Sequence, residues 1–122
     1  MAHRLPNYLR AYRVRAGLSQ EEMAYLLGLS GGPKISKYEM GRRMPDIRTL
    51  IAYERVLGVP VSELYAGLHN QVDRETRRRA RTLAERVAKT AQQSGRAYKL
   101  AGLAAIARPV AGESDLPQWD AA

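Results

Sequence analysis

Between Pro33 and Met40 the chain reads PKISKYEM, which places two lysines three residues apart with a serine between them. Ammonium and hydroxyl donors in that order suit oxygen-rich, anionic partners. If the segment is helical, 100° per residue puts Ile35 at the centre of an inward arc with Tyr38 and Glu39 beside it. Pro33, Ser36, Lys37 and Met40 then turn outward and Lys34 lies on the flank. More cations follow, with Arg42 and Arg43 close behind and a cluster of Arg74, Arg77, Arg78 and Arg81 further on. Over all 122 residues, 20 lysines and arginines stand against 12 acidic residues, a formal charge of +8. That balance favours polyanions such as nucleic acid or an anionic membrane, although solubility alone would also account for it.

Chemistry of other kinds lacks its residues. The sequence holds no cysteine, which removes disulfides, thiolate zinc sites and cysteine nucleophiles. His3 and His69 have no partner ligands at metal-binding spacing, so no metal site is expected. No Ser-His-Asp set, phosphate-binding glycine loop or carboxylate pair in a recognisable setting occurs, and Gly31-Gly32 reads as a turn. The chain is therefore not expected to be an enzyme; no catalytic residue and no cofactor are assigned. The start, MAHRLPNYLR, carries charge and Pro6 where a secretion signal needs an apolar centre, and no apolar run reaches the roughly 18 residues of a membrane span. A cytoplasmic protein without a membrane partner is expected.

The elements that must position these residues are short helices. Leu5, Leu9, Tyr12 and Ala16 form one apolar stripe over residues 5–16, ended by Gly17. Ser19 and Glu22 make an S-x-x-E capping box ahead of apolar Met23, Ala24 and Leu27, and Gly28 closes that second helix. Pro33 suits the first position of a third helix, which Gly41 stops. Pro45 and Asp46 open a fourth, with Leu50, Ile51, Tyr53 and Leu57 apolar up to Gly58, and residues 60–68 make a fifth through Val61, Leu64 and Tyr65. From His69 to Ser94-Gly95 the composition shifts to arginine and alanine, as for one long amphipathic helix. Val72, Thr76, Ala80, Leu83, Ala84, Val87 and Ala91 lie on one arc of it, and Arg74, Arg77, Arg78, Arg81 and Lys89 on another. Residues 97–107 predict a further helix despite Gly102, and the acidic tail beyond Pro109, with Trp119, is expected to be loose.

Residues 17–45, GLSQEEMAYLLGLSGGPKISKYEMGRRMP, resemble the core of the lambda-repressor/Cro (XRE) family. Its pattern is G-L-S-Q-x-x-(L/M)-A-x-x-L-G-(V/L)-S, followed by I-S-x-(Y/I)-E-x-G-R-R-x-P. The resemblance covers residues 5–68 and implies an all-α fold, a five-helix helix-turn-helix domain with a C-terminal helical extension. One helix would lie across the phosphate backbone of duplex DNA while the next enters the major groove. On that reading Lys37, Ser36 and Lys34 are the candidate base contacts, with DNA shape supplying part of the specificity because no Arg, Asn or Gln is there for bidentate readout. Gln20, Arg42 and Arg43 are the candidate phosphate contacts. Arg13 and Glu39 match positions that form an internal ion pair between the first and third helices. The plain alternatives are a solvated lysine face, a helix-capping Gln20, solvated arginines and an exposed Arg13–Glu39 pair. Between Ser30 and Ile35 this chain has four residues, Gly31 to Lys34, where the common pattern has three.

These expectations divide the chain into a DNA-binding domain over residues 1–68, a basic and apolar extension over 69–108, and a tail over 109–122. The expected activity is sequence-specific regulation of transcription, by repression, as a homodimer joined through the extension. The rival expectation is an antitoxin-like module that binds its own promoter with the first domain and a protein partner through residues 69–122. The Arg74–Arg81 cluster could grip phosphates beside the operator, meet an acidic partner, or be a solvated face.

Overall fold

The computed structural model describes residues 6–90 and 95–109, and regular structure among them is helical throughout. The elements are α1 (Leu9–Arg15), α2 (Gln20–Leu26), α3 (Gly32–Glu39), α4 (Ile47–Leu57), α5 (Val61–Leu64), α6 (Ala66–Lys89) and α7 (Arg96–Ala107). The chain divides into two compact units, the first ending at His69 and the second beginning at Asn70. His3, Leu5, Ala91, Ser94 and Trp119 lie outside the described residues.

The first unit follows the expected order of five helices, with boundaries set by side chains that satisfy free backbone groups. The first helix is shorter than its stripe: Asn7, buried, accepts the Leu9 amide on Oδ1 at 3.0 Å, so the helical turn begins only there. Ala16 caps the far end of α1 and is exposed instead of joining the core. The capping box of α2 forms as expected, with the Glu22 amide donating to Ser19 Oγ at 3.0 Å and the Ser19 amide to Glu22 Oε1 at 2.9 Å. At α4 the Asp46 carboxylate accepts the Thr49 amide at 2.8 Å. These amides hold the Glu22 and Asp46 carboxyls below the ordinary carboxylate range.

Two expectations for this unit fail for geometric reasons. Ile51 does not face inward: Leu50 and Tyr53 share the buried face of α4, and Ile51, a further 100° round from Leu50, is 59% exposed. The fifth helix does not run on to Leu68. Tyr65 leaves helical geometry at φ −122° and ψ 49°, which lets the consecutive Leu64 and Tyr65 both bury where a regular helix would point them 100° apart. α6 starts at Ala66, ahead of the change at His69.

The core joins Leu9, Tyr12, Met23, Ala24, Ile35, Tyr38, Leu50, Tyr53, Leu64 and Tyr65. The sequence contains no phenylalanine, and tyrosines take its place. Tyr38 and Tyr53 meet edge to face, ring centroids 6.5 Å apart. The hydroxyls of Tyr53 and Tyr65 are buried with no hydrogen-bond partner among the described residues, and burial pushes both phenols well above their ordinary pKa.

In the second unit the apolar stripe of α6 is only partly covered. Ala80 and Val87, two turns apart, are buried and Ala84 is half-buried, whereas Val72, Thr76 and Leu83 are exposed. α7 forms over nearly the expected span, tolerates Gly102 within it, and buries none of its residues.

Candidate nucleic-acid interface

α2 and α3 form a tight pair joined by Leu27 to Gly31, with Met23 and Ala24 packed in the same core as Ile35 and Tyr38. The turn is fixed at both helix ends. After α2, Gly28 adopts φ +73°, and the amides of Gly28 and Leu29 donate to the carbonyls of Tyr25 and Ala24 at 3.1 and 2.8 Å. After α3 the same arrangement recurs: Gly41 at φ +71° donates to Tyr38 at 3.1 Å, and Arg42 to Lys37 at 3.0 Å. A left-handed residue followed by this double bond satisfies the last carbonyls of a helix, and only glycine takes the conformation without a Cβ penalty.

The third helix starts at Gly32, one residue before Pro33, and its start explains the extra glycine of this chain. Glu21, exposed on α2, reaches across and accepts the Gly32 amide on Oε1 at 3.1 Å. A Cβ on residue 32 would lie 2.5 Å from that oxygen, so a larger residue there would have to displace the Glu21 side chain. Glu21 was not foreseen from the sequence, because in linear terms it is one more first-turn acid. Its acceptor role depends on a partner eleven residues away.

On its inner side α3 is held by a polar network as well as by Ile35 and Tyr38. Glu39 accepts from Arg13 Nε at 2.5 Å, from Arg13 Nη2 at 3.2 Å and from Gln20 Nε2 at 3.1 Å. Arg13 also donates to the Leu18 carbonyl at 2.7 Å. Both partners are largely buried, with side-chain exposures of 10% for Arg13 and 3% for Glu39. The bond from Glu39 raises the Arg13 pKa further above its ordinary value, against the opposing effect of burial. A single carboxylate thus ties α1, α2 and α3 together. Asn7 adds a second tie, donating from Nδ2 to the Tyr38 carbonyl at 3.0 Å near the end of α3. An Asn two residues ahead of Leu9, where α1 begins, is the local signal for it.

With the inner side anchored, the outer side carries the donors expected there. Lys37 and Pro33 are exposed, Met40 is exposed, and Ser36 and Lys34 are half-buried on either side. Arg42 and Arg43 are exposed in the turn that follows. Gln20, the first residue of α2, is half-buried, and its amide nitrogen is engaged with Glu39. That bond uses one of the two amide hydrogens, so the second remains for another acceptor. Lys34 lies close enough to Asp46 to help hold that carboxyl low, after the Thr49 bonds and Arg48. Arg74, Arg77, Arg78 and Arg81 are carried by α6 in the second unit.

Residues 9–64 match the family model described as helix-turn-helix. This stretch is similar to XRE-type helix-turn-helix domains. Two relatives from Bacillus subtilis (strain 168) are similar to the chain over that region. The SPbeta prophage-derived uncharacterized HTH-type transcriptional regulator YonR is 38% identical over 65 residues, covering 53% of this chain and 59% of that protein. The uncharacterized HTH-type transcriptional regulator YqaE is 36% identical over 63 residues, covering 52% of this chain and 53% of that protein. The chain thus spans little more than half the length of these relatives. No solved structure matches it. The helix-turn-helix assignment fits the geometry: α2 and α3 are the paired helices, and the solvent side of α3 is the one free of core contacts. Among the described residues, no three His, Asp or Glu side chains gather as metal ligands, and no helix is long and apolar enough to cross a membrane.

Proposed function

We propose that the chain is a sequence-specific DNA-binding transcriptional regulator that binds as a homodimer and represses by occupying its promoter. The observation that carries this reading is the two-sided construction of α3. Its inner side is locked by the core, Glu39 and Asn7, while its outer side presents Lys37, Ser36 and Lys34, with Arg42 and Arg43 beyond its end. A rigid helix with outward cations is what the major groove, wide enough to admit it, can receive. The names of both relatives, HTH-type transcriptional regulators, support the same reading.

In this proposal Lys37 donates to guanine O6 or N7, Ser36 and Lys34 contact bases or the adjoining backbone, and Arg42 and Arg43 hold phosphates. Gln20 turns its second amide hydrogen to a phosphate while its first keeps Glu39. Residues 1–68 do the binding, residues 69–108 join two copies, and residues 109–122 form a tail. A dimer places two α3 helices about 34 Å apart on one face of the duplex.

Selection of bound duplexes from a random-sequence pool tests the activity, and light scattering tests the assembly. The expected results are one enriched motif with two related half-sites about 10 base pairs apart, and a mass twice that of the chain. A pool that enriches no motif refutes sequence-specific binding. A monomeric mass, in the presence and absence of the selected duplex, refutes the dimer.

A further inference from the structure

Outside the helix-turn-helix domain, the strongest concentration of charge lies on α6, where seven cations stand against three carboxylates between Gln71 and Lys89. The structure sorts the five arginines from Arg74 to Arg81 into two kinds. Arg77 donates from Nε to Asp73 at 2.8 Å, and its side chain is 14% exposed; Arg79 stands 3.9 Å from Glu75, which also accepts from Gln71 at 3.2 Å. Arg77 is held within the helix, and Arg79, 72% exposed, stands at the edge of ion-pair distance from its acid. Arg74, Arg78 and Arg81 are exposed and have no carboxylate partner among the described residues. They follow one another at i, i+4 and i+7, one row of the helix surface, with steps of about 6 and 4.5 Å along the axis.

A groove of about 560 Å³ runs along this row, lined by Gln71, Arg74, Glu75, Arg77, Arg78 and Arg81. Its lining contains no apolar side chain. A protein partner would be expected to find an aromatic or aliphatic anchor at the centre of its footprint, and this groove offers none. It offers planar guanidinium forks, which fit phosphate in bidentate fashion. Duplex DNA presents one charge about every 1.7 Å of its axis, so three arginines spaced along a helix meet phosphates without any required register.

We propose that Arg74, Arg78 and Arg81 form a second, sequence-independent contact, gripping the phosphates of duplex DNA beside the segment held by the helix-turn-helix domain. Arg77, bonded to Asp73, shapes the groove and takes no part in the grip. This inference rests on the DNA-binding reading above, and the experiment separates the two.

The triple variant Arg74→Gln/Arg78→Gln/Arg81→Gln and the parent chain are titrated by fluorescence anisotropy, over a range of salt, onto random-sequence duplexes of about 15 and about 45 base pairs. Three exposed substitutions on α6 should leave the helical circular-dichroism signal unchanged. On the long duplex the variant should bind at least tenfold more weakly, with a salt slope shallower by about two to three, one step for each lost phosphate contact. On the short duplex it should match the parent. A variant equal to the parent on both lengths overturns the proposal, as does an equal loss on both, which would put the arginines inside the primary site. If the two chains match on DNA but the parent alone forms a larger species by light scattering, the row is a protein interface and the proposal also fails. A parent chain that binds neither duplex refutes the underlying DNA-binding reading itself.

Discussion

Replacing Glu39 by alanine withdraws one carboxylate from three donors at once, Arg13 Nε, Arg13 Nη2 and Gln20 Nε2. The Arg13 guanidinium left behind cannot escape by losing its proton, because its ordinary pKa is far above neutrality. It cannot readily escape to water either, with 10% of its side chain exposed. Removing one partner of a buried pair costs about 3–5 kcal/mol, since the remaining charge stays desolvated. Arg13 keeps its bond to the Leu18 carbonyl at 2.7 Å, which places this case at the lower end, about 3 kcal/mol. At roughly 4–8 °C per kcal/mol for a unit of this size, the melting temperature should fall by about 12–24 °C. Glu39→Gln keeps the shape and one acceptor oxygen and should lose only about 1–2 kcal/mol. Calorimetric melting of the full chain and both variants measures this. A Glu39→Ala chain that melts within about 2 °C of the parent would show that the pair carries no net stability, and the account of how α3 is anchored would be wrong.

The other structural predictions follow from single contacts. Tyr53→Phe removes a buried hydroxyl with no partner among the described residues, so it should leave stability unchanged or raise it by up to about 1 kcal/mol; a loss of more than about 1 kcal/mol by chemical denaturation would mean that the hydroxyl is satisfied after all. Gly32→Ala should push Glu21 off the start of α3, costing about 1 kcal/mol and shifting the amide NMR signals of the flanking Gly31 and Lys34; an unchanged spectrum at Lys34 would show that Glu21 does not hold that end. The Glu22 and Asp46 carboxyls are held below their ordinary values, so the caps stabilise fully above an unfolded pKa of about 4 and lose that stabilisation as pH falls through the lower folded values. Denaturation midpoints should therefore drop below about pH 4, and in Asp46→Asn the drop should be smaller.

Much of the first unit is legible because its signals are local. The Ser19–Glu22 box, the glycines after α2 and α3 and the Asp46 cap each act within a few residues, and each stands where its spacing implies. The Arg13–Glu39 pair is equally visible, through the family pattern. What the sequence conceals is long-range or concerns the exact face of a helix. Glu21 becomes a cap only because α3 arrives beside it, and Gln20 is drawn into the Glu39 network by the same packing. Ile51 is apolar and in a plausible register, but a neighbouring 100° decides that Leu50 and Tyr53 fill the core. The break at Tyr65 carries no glycine or proline; it comes from the burial of two consecutive large side chains. On α6 the arginines look alike in sequence and differ only in whether an acid one turn earlier claims them.

The claim that the solvent side of α3 reads bases is tested most directly by comparing Lys37→Ala with Arg43→Ala on a selected duplex and its scrambled counterpart, titrated by fluorescence anisotropy at several salt concentrations. Lys37 is exposed in the last turn of α3, and Arg43 lies in the turn beyond the helix. Lys37→Ala should cost about 1–3 kcal/mol on the selected duplex and much less on the scrambled one, because only a base-edge contact distinguishes sequences. Arg43→Ala should weaken both alike and make the salt slope shallower by about one. If Lys37→Ala weakens both duplexes equally, Lys37 is a phosphate clamp, and the reading of α3 as the helix that presents it to base edges is contradicted.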